Sequence, residues 1–497
     1  MLRQKFVLDF GSKIFNQLLT ALTGIVVARI AGPTVIGTVA FGLSYVSVFS
    51  FINGLFGSSH IKFISEGRDM AKCNATFGIL QLSTLVIYVL VVIGFFLIQK
   101  FALGHQFETD DHIKVIFILL AYNSIAQLIR IPELTFIGKM EQARANIPNI
   151  VNSVIYNTLR ITVVVLGYRA VELASAHLVA IVTVVPVSWY LFRKYPVGSW
   201  DRQLARDYLM VSVPIFLMTF TNTLIMHLGR LLLQFFSNSE ELGYYSAAYS
   251  IGGMLLLVAS TAGTLFFPLF SKAASEKKFG YMEEQITKYE RFIFLFVMPG
   301  VIFLSIASHE IITFILSNTY IPSVDVFSLL IISSFMMIWA MPYGNILIGM
   351  GLFRLSAILS IMRLILFFIL TVFLLHPEMF ELGALGLSIS ILFNNVLMVV
   401  IFYSYSKKKS GVHPMKFNYR YPLFGIAVYL GGYLLYNVRI MQDVSYWIFL
   451  YGFLFFAIVY AWYYLTGWMN KTDLQQLVRM ASVVKMKDYI KDELGKK

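Results

Sequence analysis

The sequence predicts an all-α polytopic membrane protein with fourteen transmembrane helices. Three observations carry that reading. Of the 497 residues, 58% are hydrophobic and only 13% are charged, against about 45–50% and about 25% in soluble domains. Apolar runs of about 20 residues, enough to span a bilayer core, recur along the whole chain. Lysine and arginine are segregated to alternate connections between those runs, as the positive-inside rule requires. A soluble enzyme, a secreted disulfide protein and a disordered scaffold are thereby excluded. Cys73 is the only cysteine, so neither an intrachain disulfide nor a cysteine-based metal centre is expected.

The spans fall near 9–31, 36–58, 77–99, 113–138, 147–168, 171–192, 207–235, 243–270, 289–308, 323–349, 355–375, 382–405, 420–437 and 445–466. The first contains Asp9, Lys13, Asn16 and Gln17, too polar for a cleavable signal, and reads as a retained helix. With the N-terminus cytoplasmic, the inner connections hold most of the 39 Lys and Arg. The outer ones hold only Lys100, Lys114, Arg169 and Arg439. An even span count then places both termini in the cytoplasm. The net charge of +13 is accordingly a topology and headgroup signal, and no nucleic-acid partner is expected. The basic tail 467–497 reads as an amphipathic helix on the inner leaflet or as a solvated tail. Trp189, Trp447, Trp462 and Trp468 near span ends suit an interfacial belt.

The chain also repeats itself. At one constant offset Asn16 lies over Asn222, Gly37 over Gly243, Ser44 over Ser250 and Ser65 over Ser271. With a drifting offset, Leu159-Arg160 lies over Met362-Arg363 and Pro132 over Pro342. Each half holds six spans, an even number, so the repeat is parallel with its pseudo-axis along the membrane normal. The expected organisation is a first lobe at 1–200, a second at 201–406, and spans thirteen and fourteen with the tail at 407–497. Two such bundles face to face enclose a central cavity, which is a transporter architecture.

Ionisable residues inside spans are costly and mark function by default. Arg160 and Arg363 lie well inside repeat-related spans with no acid nearby on the same helix. They are expected to line the cavity, with Arg29, Arg230, Asn16 and Asn222 as further candidates. Arg29 and Arg230 sit toward outer span ends, where snorkelling to headgroups is the alternative. Asp9 with Lys13, and Arg130 with Glu133 beside Pro132, read as structural ion pairs or gates. His227, one turn before Arg230, is a packed histidine or a proton-coupling group. A cationic cavity suits phosphate or pyrophosphate, which arginine binds with a bidentate fork. The acids Glu108, Asp110 and Asp111 read as an outer loop patch rather than a catalytic or metal-binding cluster. There is no G-x-x-x-x-G-K-[ST] loop for ATP.

Several stretches resemble the oligosaccharide/polysaccharide flippases, the Wzx-type branch of the multidrug/oligosaccharidyl-lipid/polysaccharide exporter superfamily. They are VARIAGPTVIGTVAFGLS at 27–44, GRLLLQFFSNSEELGYYSAAYSIGGMLL at 229–256 and LFFPLFSK at 265–272. The family's Arg, Gly-Pro, Gly pattern after span 1 is matched by Arg29, Gly32-Pro33 and Gly37. Its Gly-Tyr-x-x-Ala start to span 8 is matched from Gly243 to Ala247, and its Pro-x-x-Ser/Lys exit by Pro268, Ser271 and Lys272. Many members carry an acid before the Arg of span 7, where this chain has Gly229. The resemblance implies export of an undecaprenyl-pyrophosphate-linked oligosaccharide, of O-antigen or capsule type, across the bacterial cytoplasmic membrane. It further implies alternating access coupled to H+ or Na+, no cofactor, and glycan polymerase and chain-length machinery as partners. The rival readings are a peptidoglycan-precursor (lipid II) flippase, a multidrug exporter of the superfamily and, more remotely, a polytopic glycan polymerase. The exporter would need uncompensated carboxylates in the first lobe, and the polymerase a large outer loop or soluble domain.

Overall fold

Apolar runs this long satisfy every backbone polar group internally by coiling, and the computed structural model is all-helical among the residues it describes. These are 2–102, 107–412, 425–430 and 448–469. The first-half helices are α1 (Leu2–Ser47), α2 (Gly57–Ser65), α3 (Met70–Leu97), α4 (Asp110–Gly138), α5 (Gln142–Val165) and α6 (Ala170–Phe192). The second half follows with α7 (Arg202–Phe236), α8 (Ser239–Gly252), α9 (Leu256–Ser275), α10 (Phe279–Phe292), α11 (Met298–Ile306) and α12 (Ser308–Ile315). It closes with α13 (Ser323–Gly349), α14 (Phe353–Leu375) and α15 (Gly383–Ser410), and a last helix runs over Ile448–Leu465. Eight described helices are long and apolar enough to cross a membrane. The first of these, Gly11–Ser47, carries the expected spans 1 and 2 together. Span 13, apart from 425–430, lies outside the described residues.

Spans 1 and 2 depart from their expected form. No loop separates them: the chain kinks at Gly32, whose φ of 80° and ψ of 169° leave the helical region. Glycine adopts that conformation without a Cβ clash, and Pro33 then restarts the helix. Span 2 also does not continue to residue 58. Its helix ends at Ser47, turns occupy 48–56, and α2 resumes at Gly57. Gln81 braces the break by donating to the Asn53 carbonyl (3.1 Å) and to Gln127 (2.9 Å). In the second half a 3-10 turn at Gly253–Leu255 separates α8 from α9. The two breaks start within one residue of repeat-equivalent positions.

The most extensive packing between the halves is α1 on α8, at the ends expected to face outward. A Cβ added to Gly37 would lie 1.7 Å from the Ser239 carbonyl oxygen, and one added to Gly243 would lie 1.9 Å from that of Pro33. The contact is reciprocal, since Pro33 and Ser239 share the repeat offset of Gly37 and Gly243. Small residues allow this close backbone approach. Tyr320 ties in alongside by donating to the Ala28 carbonyl (2.9 Å). At the opposite ends, α7 begins docked on the first half. The buried His60 bonds Tyr208 (2.8 Å) and Thr135 (2.9 Å) and stacks on Phe77, while Arg68 pairs with Asp207 (2.7 Å).

Candidate functional site

The second half encloses a cavity of about 530 Å³, walled by α7, α8, α13, α14 and α15. Arg363 and Asn222 line it together with Asn345, Asn394 and Asn395, and no acid does among the described residues. Arg363 is only 5% exposed. Its guanidinium lies 5.7 Å from the centre of the Phe402 ring, and its Nε has no partner. Asn394 Oδ1, Asn345 Nδ2 and Ser356 Oγ are also buried and unpaired, whereas Asn395 donates to the Ser333 hydroxyl (2.9 Å). Buried polar atoms are almost always satisfied, so unused donors and acceptors around one cation leave hydrogen-bonding capacity that a polar anionic ligand could take up. Arg230 borders the cavity: its guanidinium lies 4.7 Å from the Tyr249 ring centre and 5.7 Å from that of Tyr245, and both tyrosines are in the wall. His227 is half-buried with Nδ1 unpaired.

Arg160 does not line this cavity. It lies in the first half, 5.1 Å over Tyr156, with Nη1 3.4 Å from Asn157 and its Nε unpaired. It lies against α1 at Gly24, where a Cβ would meet Nη2 at 3.8 Å, an ordinary contact distance. Tyr156 in turn bonds His177 (2.6 Å), which packs on Tyr122. Each arginine is thus covered by an aromatic of its own half, and Arg160 is not among the described residues that wall the Arg363 cavity. The Tyr122–Tyr156–His177 cluster was not visible as a site, because its members come from three helices. Asn16 is half-buried with Oδ1 unpaired, and Arg29 is exposed.

The expected gating pairs fare differently. Glu133 accepts from Asn149 (3.0 Å) and is not ion-paired with Arg130. The Arg130 guanidinium instead reaches the start of α2, 3.7 Å from where a Gly57 Cβ would lie. The Asp9 side chain, and with it the expected pair with Lys13, lies outside the described residues.

An unexpected clasp closes the outer ends. Glu108 accepts from the Ser239 N–H (2.9 Å), the Ser239 hydroxyl (2.5 Å) and Gln234 (2.8 Å). It therefore grips the N-terminus of α8 from the first half. His112 completes the group by bonding Ser239 (2.8 Å) and Thr109 (2.9 Å). Partial burial pushes the Glu108 carboxyl up, but the hydrogen bonds from Ser239 and Gln234 and the nearby His112 outweigh it and hold the carboxyl below its ordinary range. A lowered folded value stabilises the folded state above the ordinary carboxylate range, and this is lost as pH falls through the lowered value. Glu108→Gln should therefore lower the unfolding free energy of the purified protein at neutral pH, by about 1 kcal/mol after allowance for its exposure, and with it the melting temperature. It should also flatten the acid limb of the stability curve, and an unaltered acid limb would refute the clasp.

Residues 26–325 match the family model described as polysaccharide biosynthesis protein. The sequence matches none of the curated proteins. Among solved structures, the chain is similar to the lipid II flippase MurJ in an inward closed conformation. The TM-score is 0.70 at 14% identity, covering 93% of this chain and 99% of that one. It is similar to an inward-facing multidrug resistance MATE family transporter of the MOP superfamily with a TM-score of 0.66 at 17% identity, covering 80% and 94%. Against an outward-facing MATE family transporter the TM-score is 0.51 at 17% identity, covering 82% and 94%. At these identities the likeness establishes a MOP-type fold.

Proposed function

Because the chain belongs to the polysaccharide biosynthesis protein family, we propose that it is a flippase for a lipid-linked oligosaccharide. The cargo would be an undecaprenyl-pyrophosphate-linked repeat unit of O-antigen or capsule type. The observation that carries this is the buried, acid-free Arg363 in a cavity rich in unpaired amides and hydroxyls. A guanidinium suits pyrophosphate, amides suit sugar hydroxyls, and a cationic drug would meet only repulsion. That disfavours a multidrug exporter, although the fold is shared. A lipid II flippase has the same anionic-lipid logic and differs in the sugars.

In this reading the lobes are 1–200 and 201–406, with 407–497 appended. They alternate access between the two membrane faces, and both termini are cytoplasmic. Arg160 and Arg363 would hold the anionic head in turn or together, with Arg230 and Asn222 assisting. Export of an anion from the negative interior runs down the membrane potential, about 2.3 kcal/mol per charge per 100 mV. A proton or sodium gradient could add to this. Polymerase and chain-length machinery would take over the exported unit.

The test is reconstitution of the full chain in proteoliposomes with a fluorescent undecaprenyl-pyrophosphate glycan. The expected result is energy-dependent appearance of the glycan on the opposite leaflet, read by accessibility to a lectin. Equal appearance in protein-free vesicles, or efflux of cationic dyes in its place, would overturn the reading.

A further inference from the structure

One buried acid is absorbed by none of the roles above. Glu290, near the inner end of span 9, is 1% exposed. Its Oε1 accepts from the Trp339 indole N–H (2.9 Å) and from the Tyr343 hydroxyl, and its Oε2 has no partner. The titratable groups around it are Tyr343 on α13, Tyr403 on α15 behind Tyr343, and Tyr289 beside it. Tyr289 spends its hydroxyl on the Ile338 carbonyl (2.9 Å). Arg291 on the same helix directs a guanidinium nitrogen to the Trp468 carbonyl (3.3 Å), near Tyr463 of the last helix. Among the described residues no cation forms an ion pair with Glu290.

An ionised carboxylate in such surroundings is costly, and the neutral acid is not. The group therefore has a physical reason to exchange a proton. Its neighbours also select the proton over a metal cation. Sodium needs a shell of oxygen acceptors, whereas Trp339 can only donate and Tyr343 is spending its proton on Oε1. The span unwinds into a π-helical turn at Ile293–Val297, just beyond Glu290, a distortion often found at functional sites.

The site is also wired to the Arg363 cavity. Trp339 and Tyr343 lie on one face of α13 and straddle Pro342, the proline inside that helix. On the opposite face, Met341, Gly344 and Asn345 form cavity wall. We infer that Glu290 is a reversible proton-binding site whose charge state sets the bend of α13 at Pro342, and so the shape of the cavity. When Glu290 releases its proton, both donors grip a charged oxygen and α13 is held. When a proton adds to Oε2, the two bonds weaken to neutral ones, about half as strong, and α13 is freed to bend. In the first half the same span pair is joined by Gln81 and Gln127, amides that carry no exchangeable charge. At this span pair, therefore, the exchangeable proton would belong to the second half.

That last step rests on the flippase reading, but the proton site does not, and the experiment separates them. Infrared difference spectra of the full-length protein in nanodiscs, recorded as pH is lowered through the neutral range, should show a protonated carboxylic acid band. The band should vanish in Glu290→Gln, which keeps the Oε1 acceptor and so the fold, and should shift in Tyr343→Phe. In proteoliposomes Glu290→Gln should make glycan movement indifferent to a pH gradient, and Glu290→Asp should restore the dependence. A wild-type spectrum without the band, or a band unchanged in Glu290→Gln, overturns the proton site even if glycan moves. A Glu290-dependent band in a protein that moves no glycan keeps the site and removes the flippase reading.

Discussion

Replacing Gly37 or Gly243 by alanine is expected to force the outer ends apart. The added methyl would sit 1.7 Å or 1.9 Å from a backbone carbonyl oxygen of the facing helix. A backbone atom cannot swing aside as a side chain can, so the helices must separate by more than an ångström. Overpacking of this kind costs about 1–3 kcal/mol, which shifts a two-state population by roughly tenfold to a hundredfold. Loss of the crossing also pulls the Glu108 clasp away from Ser239. The measurement is the distance between spin labels on cysteines introduced at the exposed outer positions Tyr168 and Met379, with Cys73 replaced. Wild-type protein should give a short, narrow distribution, and either alanine variant a longer one. Gly94→Ala is the control, because nothing lies within 4 Å of a Cβ there. Identical distributions in all four proteins would show that the glycine crossing does not hold the closed state.

Loss of export is the expected result of Arg363→Ala. Removing one partner of a desolvated charge pair costs about 2–5 kcal/mol, and each 1.4 kcal/mol is a factor of ten in affinity. Among the described residues the cavity wall holds no second cation, and Arg230 stands at its border behind Tyr245 and Tyr249, so little can substitute. Arg363→Lys keeps the charge and loses the fork, and should leave partial export. Arg160→Ala probes the first-half site in the same way. The readout is surface polysaccharide in a strain dependent on this chain, with membrane insertion checked by the amount of protein in the membrane. Normal surface glycan in both alanine variants would remove the arginines from the mechanism.

Much of this was legible in the chain itself. The match of Gly37 with Gly243 looked like a weak repeat signal and proves to be the crossing of the two halves. Arg363 stood out because no acid lay nearby on its helix, and the structure keeps it buried and unpaired. Other features were hidden for definite reasons. The break in span 2 runs through Phe51, Ile52, Leu55 and Phe56, which remain apolar, so hydropathy continues where the helix does not. Glu290 sits at the edge of its span, where an acid reads as a boundary residue, and only tertiary packing buries it. Glu108 reads as a loop acid until α8 is placed against it. A sequence offset aligns Arg160 with Arg363 but carries no distance between them, so it could not place Arg160 outside the wall of the Arg363 cavity.

The interruptions at 48–56 and 253–255 have a consequence for electrical tightness. Each lies between an outer helical stretch engaged in the crossing and an inner stretch packed mainly on its own half, with α2 also touching the start of α7. A stiff rod would transmit every swing of the inner door to the outer seal, and both would stand ajar at once. In the proposed alternating access, jointed rods would let the inner door travel while the seal stays shut, so that no continuous water path forms at mid-stroke. A membrane rich in this protein would then keep its ion gradients through every cycle.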